Sequence, residues 1–144
     1  MIAIENELGW GSTVTLLARA ADEMSPAILI VDDETTFAKN IATFLGRNGY
    51  HVCRVETAEE GLLKLDAFRP AVVLQDFNLP GMNGLEMLAE IRRRDSRIKV
   101  ILMTGRGSEQ LAVDAMKAGA HDYLTKPLVL AKLKIVLEKT LGRG

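Results

Sequence analysis

Short, continuous apolar runs alternate along most of the chain with segments whose apolar residues recur three or four positions apart. The runs are Ala27–Val31, Val52–Val55, Ala71–Leu74, Val100–Met103 and Asp122–Thr125. Several lack polar alternation, the pattern of strands covered on both faces. Between the runs, Phe37, Ile41 and Phe44–Leu45 mark a first helix, ended by Asn48-Gly49, a pair suited to a left-handed cap. Ala58, Leu62 and Leu65 mark a second, opened by Thr57-Ala58-Glu59-Glu60. There the Thr57 hydroxyl is expected to accept from a free helix N–H while Glu60 reaches back to the cap N–H. Leu85, Leu88 and Ile91 mark a third helix, Leu111, Ala115 and Ala118 a fourth, and Leu133, Val136–Leu137 and Leu141 a fifth. Five strands alternating with five helices predict an α/β fold. Its crossovers are right-handed, its sheet parallel, and helices cover both faces.

Ahead of this pattern, residues 20–26 are polar and aperiodic and close on Pro26, as a linker does. Residues 1–19 read as two short strands, Ile2–Glu5 and Thr13–Ala18, around a glycine-containing turn, and pattern alone suggests a simple hairpin. The chain thus divides into a hairpin (1–19), a linker (20–26) and a main domain (27–144).

Charge narrows the function classes. Lys and Arg number 18 against 19 Asp and Glu, a net charge of −1, so the overall field favours neither nucleic acid nor a membrane surface. No apolar run approaches the roughly 20 residues that span a bilayer, and no signal pattern opens the chain; a cytoplasmic location is expected. The single cysteine, Cys53, excludes an internal disulfide and is expected to be buried and inert. His51 and His121 stand at strand starts without a ligand motif. Arg92-Arg93-Arg94 ends the third helix, where positive charge suits the dipole.

Chemistry is expected beyond the carboxyl ends of the strands, where open α/β sheets bind ligands. The first strand runs into Asp32-Asp33-Glu34, the third into Asp76, the fourth into Thr104 and the fifth into Lys126-Pro127. Taken singly these are a helix cap, a turn residue and a solvated lysine. Together they bring carboxylates, a hydroxyl and an ammonium to one edge. Two carboxylates about 5 Å apart repel by about 3 kcal/mol at an effective dielectric near 20, so such a cluster calls for a cation. All-oxygen ligation suits Mg²⁺ rather than zinc. A hydroxyl and an ammonium alongside suit a phosphoryl group, whose oxygens accept from both.

Four segments resemble the receiver domains of bacterial two-component response regulators. They are Ile-Leu-Ile-Val-Asp-Asp-Glu at 28–34, Val-Leu-Gln-Asp-Phe-Asn-Leu-Pro-Gly-Met-Asn-Gly at 73–84, Leu-Met-Thr-Gly at 102–105 and Ala-Gly-Ala-His-Asp-Tyr-Leu-Thr-Lys-Pro at 118–127. The resemblance runs from about Ala27 to Leu141. It implies a flavodoxin-like, doubly wound sheet of strand order 2-1-3-4-5 and a role in phosphorelay signalling. Asp76 would take a phosphoryl group from a phosphohistidine. Asp32, Asp33, Asp76 and the backbone carbonyl of Asn78 would hold Mg²⁺. Lys126 would pair with the phosphoryl oxygens and Thr104 would donate to one of them. Tyr123 would change rotamer with Thr104, and the Lys126–Pro127 bond would be cis. The face of the fourth helix, fifth strand and fifth helix would switch, and could carry a homodimer. The implied partner is the phosphohistidine domain of a sensor kinase or phosphotransfer protein. Such a receiver catalyses its own phosphotransfer and dephosphorylation.

Departures are few: Gln75 stands where an apolar residue is usual, and Gly105 where Ala is common. Asn78 and Arg106 flank the phosphoryl position and would tune its lifetime. Gly81, Gly105 and Gly107 leave the neighbouring turns permissive. Glu7-Leu8-Gly9-Trp10-Gly11-Ser12-Thr13-Val14-Thr15-Leu16 is similar to the last glycine box of a histidine-kinase ATP-binding domain. That likeness implies a receiver at the end of a hybrid kinase, without its own kinase site, whose hairpin packs on a neighbour or pairs between chains. Two rivals stay open. A haloacid-dehalogenase-like phosphatase would put its nucleophile at Asp32. An interaction module independent of phosphorylation would lack the acceptor, the lysine or the threonine.

Overall fold

A computed structural model of the chain describes residues 25–105 and 109–142. The expected hairpin at 1–19, most of the linker, and Arg106 and Gly107 lie outside the described residues. The elements run β1 (Ala27–Val31), α1 (Thr35–Arg47), β2 (His51–Val55), α2 (Ala58–Phe68) and β3 (Val72–Asp76). They continue with α3 (Gly84–Arg94), β4 (Lys99–Thr104), α4 (Glu109–Lys117), β5 (Asp122–Thr125) and α5 (Leu130–Thr140). The strands form one sheet in the order β2-β1-β3-β4-β5, every pair parallel. This is the doubly wound order that the resemblance implies.

Strand alternation sends odd and even positions to opposite faces. Leu29, Val31, Val73, Val100 and Leu102 meet Leu62 and Leu65 of α2, Met87, Leu88 and Ile91 of α3, and Ala115 of α4. Ile28, Ile30, Leu74, Ile101, Met103 and Leu124 meet Ala38, Ile41 and Leu45 of α1 and Leu133, Val136 and Leu137 of α5. With both faces covered, β1 reads as an unbroken apolar run, and so does β3 up to Leu74. The register pairs Val31 with Gln75 and Gln75 with Leu102, so the strand ends lie level along one edge.

Strands extend beyond the apolar runs at their polar ends. β3 continues past Leu74 through Gln75 and Asp76, both buried, because their backbones extend the ladder to β4. β2 starts at His51, whose N–H donates to the Pro26 carbonyl at 3.0 Å and whose ring stacks on Phe68. Cys53, expected to be buried, is half-buried: β2 is an edge strand paired with β1 alone.

Helix starts follow local chemistry. Thr57 accepts from the Glu60 N–H at 3.1 Å as expected. Glu60, however, reaches one residue further back than expected, to the Glu56 N–H at 3.2 Å. A complete capping box opens α3, with Asn83 accepting from the Glu86 N–H and Glu86 from the Asn83 N–H, both at 2.9 Å. Immediately inside it, Gly84 must be a glycine. A Cβ there would lie 2.8 Å from Phe77 Cα and 3.2 Å from the carbonyl oxygens of Asp76 and Phe77.

Two alanine substitutions should therefore move stability in opposite directions. Gly84→Ala should lose about 1–3 kcal/mol, because backbone must shift to admit the methyl group. Gly46→Ala, within α1 and with nothing within 4 Å, should gain about 0.5–1 kcal/mol from helix propensity. Urea unfolding of the two variants checks the signs.

Candidate functional site

Three strand ends and one helix start build the site. Asp32 continues β1 by one residue, its N–H donating to the Val55 carbonyl at 3.1 Å. Its side chain is fully buried, and Oδ1 accepts from the Glu34 N–H at 2.9 Å, which turns the chain into α1. Lys126 follows β5, with its N–H on the Thr104 carbonyl at 2.7 Å and a cis bond to Pro127, as expected. The Lys126 Nζ donates to Asp32 Oδ2 at 2.8 Å and to Glu34 Oε1 at 2.7 Å. It lies 3.4 Å from Asp76 Oδ1 and 4.4 Å from the centroid of the Phe37 ring. An ammonium over an aromatic face gains a further, smaller attraction.

Asp76 closes β3 and is 6% exposed. Burial pushes its carboxyl up from the ordinary 3.8 to about 6; the charge of Lys126 pulls it down and that of Asp32 adds to the rise. A hydrogen bond from the Asn78 backbone also favours the ionised form. For Lys126, burial opposes the charged form, but hydrogen bonds to Asp32 and Glu34 and the charges of Asp76 and Asp32 outweigh it. The net shift is upward, so the ammonium is firmly protonated.

Asp32, Asp33 and Asp76 each offer an oxygen within 4.8 Å of the other two, with Asp33 exposed between its buried partners. Three hard oxygen donors around a point open to solvent through Asp33 fit Mg²⁺, which keeps waters and accepts carboxylates. The raised value for Asp76 fits as well, since Lys126 alone does not offset the burial of that carboxylate.

The expected hydroxyl and aromatic come from β4 and β5. Thr104 is buried at the end of β4 and pairs in register with Thr125, while Tyr123 pairs with Leu102 and is exposed. Gln75, one residue before Asp76, is fully buried and donates from Nε2 to the Gly84 carbonyl at 2.7 Å. It ties the start of α3 back to β3.

Two participants were missed from sequence. Glu34 was read as the tail of an acidic run and Phe37 as a core position of α1, yet both hold the Lys126 ammonium. Their spacing to each other, one helical turn, was the available signal; the distance in sequence to Lys126 concealed the contact. The geometry does not favour the phosphatase reading. The fully buried Asp32 spends one oxygen on the Glu34 N–H and the other on Lys126, which leaves it poorly placed as a nucleophile. Nor does the interaction-module reading find its missing group, since Asp76, Lys126 and Thr104 are all present at the edge.

A doubly wound, five-stranded parallel sheet with carboxylates and one lysine gathered at its carboxyl edge is the class of protein that this geometry defines. Residues 28–138 match the family model of the response regulator receiver domain. The chain is 32% identical over 122 residues to the chemotaxis protein CheY of Bacillus subtilis, covering 83% of this chain and 100% of that one. It is 34% identical over 117 residues to the two-component response regulator PhoP of Pseudomonas aeruginosa, covering 81% of this chain and 52% of that one. The chain therefore spans about half the length of PhoP. A response regulator receiver domain protein from Clostridium thermocellum superposes with a TM-score of 0.78 at 33% identity, over 82% of this chain and 95% of that one. The chain belongs to the response regulator receiver domain family. Receiver domains of this family serve phosphorelay signal transduction through phosphorylation of an aspartate, and they interact with histidine kinases or phosphotransfer proteins. Among the described residues no helix is long and apolar enough to cross a membrane.

The Asp76 environment carries a pH signature in the metal-free protein. Between the unfolded value of 3.8 and the folded value of about 6, the unfolded chain ionises first, so stability falls as pH rises. The difference corresponds to at most about 3 kcal/mol. Asp76→Asn should therefore stabilise the metal-free protein at neutral pH, and the gain should vanish below both values. Urea titrations at several pH values check this; a variant less stable than native at neutral pH contradicts it.

Proposed function

We propose that Asp76 is the phosphoryl acceptor, that Mg²⁺ is held by Asp32, Asp33, Asp76 and the Asn78 carbonyl, and that a phosphohistidine domain is the donor. The observation that carries this reading is the place of the Asp76 carboxylate. It lies 3.4 Å from a protonated lysine and within 4.8 Å of oxygens of two further aspartates. An Asp76 oxygen forms a bond to phosphorus as the bond from phosphorus to the imidazole nitrogen breaks. The electron pair leaves with that nitrogen, and the ring, carrying a proton on its other nitrogen, departs as neutral imidazole. No general base is needed, because a carboxylate is already the attacking form; alignment and charge neutralisation are. Bound Mg²⁺ supplies part of that neutralisation. Lys126 supplies the rest to the phosphoryl oxygens, and Asp32 keeps Lys126 aimed across the edge.

Dephosphorylation uses the same groups in return. A water oxygen bonds to phosphorus, its protons passing to the phosphate formed and to solvent, and the Asp76 carboxylate departs with the electron pair. Asn78, two residues after the acceptor in sequence, and Arg106, two residues after Thr104, set how long the adduct lasts.

The acyl phosphate adds roughly −1.5 to −2 charge beside Thr104. The Thr104 hydroxyl then donates to a phosphoryl oxygen, and Tyr123, on the same sheet face, follows into the space it vacates. Exposed Val113 and Met116 on α4, Tyr123 on β5 and Ile135 on α5 support this face as the signalling surface and as the site of a homodimer. The N-terminal likeness to a kinase glycine box supports a hybrid-kinase origin and a cytoplasmic setting.

The test is incubation with acetyl phosphate and Mg²⁺ followed by intact mass. An adduct is expected in the native protein, absent in Asp76→Asn and partly retained in Asp32→Asn. An adduct that persists in Asp76→Asn contradicts the assignment. Asp33→Ala should weaken Mg²⁺ binding several-fold, read by calorimetric titration; an unchanged titration removes Asp33 from the ligand set.

A further inference from the structure

One ammonium faces three carboxylates in this site, and it is not shared evenly. Lys126 Nζ stands 2.7 Å from Glu34 and 2.8 Å from Asp32, but 3.4 Å from Asp76, the group it serves in the reaction. Glu34 is also oddly placed for a local role. It is the N-cap of α1, a position that favours the short side chains of Ser, Thr, Asp and Asn, and its side chain makes no cap hydrogen bond. Its carboxylate extends instead to a lysine 92 residues away. Phe37, one turn further along α1, holds the same ammonium against its ring face.

We propose that Glu34 is a positioning residue that holds Lys126 toward α1 and away from Asp76 until a phosphoryl group competes for it, and so slows loading of the site. This rests on the reading of Asp76 as acceptor. Asp32, fully buried, is the fixed partner about which the ammonium pivots. Glu34, 63% exposed, is the releasable one, because water takes its place at little cost. Exposed ion pairs are worth up to about 1 kcal/mol, which sets the expected change in rate at about two- to fivefold.

A simpler alternative is that Glu34 acts only as a nearby negative charge that repels an anionic donor. Two variants separate the ideas. Glu34→Gln removes charge and latch together. Glu34→Asp keeps the charge but is one methylene short of Lys126. Loading by acetyl phosphate at saturating Mg²⁺ is timed by intact mass. In parallel, the ammonium resonance of Lys126 is followed by nitrogen-detected correlation spectroscopy in the metal-free protein, assigned by its loss in Lys126→Arg. The expected result is faster loading in both variants, by about two- to fivefold, with the Lys126 resonance displaced in the same direction in both. Glu34→Asp behaving as native while Glu34→Gln loads faster would leave only the charge effect and overturn the proposal. So would slower or unchanged loading in both, or a Lys126 resonance that does not move. Failure of the native protein to load at all would instead overturn the acceptor reading on which the proposal stands.

Discussion

A buried carboxylate at the end of β1 requires a cation, and the fold supplies one from the far end of the chain. Asp32 has no exposed surface, and an uncompensated charge there would cost several kcal/mol. The Lys126 ammonium at 2.8 Å compensates it. The same ammonium comes within reach of Glu34 and Asp76, so one positive charge ties β1, α1, β3 and β5 together at the sheet edge. Its charge survives burial because several acceptors surround it.

That contact exists only because the strand order is 2-1-3-4-5. β1 and β3 are neighbours, which sets Asp32 and Asp76 side by side, and β4 carries β5 close enough for Lys126 to reach across. The loops can then vary while the edge is kept level by the ladder. The β3–α3 loop is closed by Gln75 on the Gly84 carbonyl and by the Gly84 N–H on Phe77, so Asn78 is carried on a short, tied segment. Phosphoryl chemistry of this kind depends more on charge placement than on reactive side chains. The constraint that stabilises the edge is therefore also the one that prepares it.

Much of this was legible in the chain. Apolar runs located all five strands, because strands covered on both faces carry little polar interruption. Polar residues that follow a run marked the chemical edge, and the parallel fold placed them together. What stayed hidden has physical reasons. Gln75 and Asp76 fell outside the apolar run of β3 because buried polar residues break the apolar signal, although the backbone ladder ignores side-chain polarity. Cys53 looked buried because its run is apolar, but an edge strand has one neighbour. Glu34 and Phe37 were invisible as lysine partners, since helical spacing reports which face is shared and not what arrives from 92 residues away. Glu60 overshot its expected partner by one residue, a reach that its long side chain permits.

The account comes down to which carboxylate carries phosphorus. An acyl phosphate is reduced by borohydride to an alcohol, converting the modified aspartate to homoserine, whereas unmodified carboxylates do not react. Peptide mapping of the phosphorylated and reduced protein by tandem mass spectrometry reads the position directly. Homoserine at position 76, with positions 32 and 33 intact, is the predicted result; homoserine at 32 or 33 in its place would contradict it.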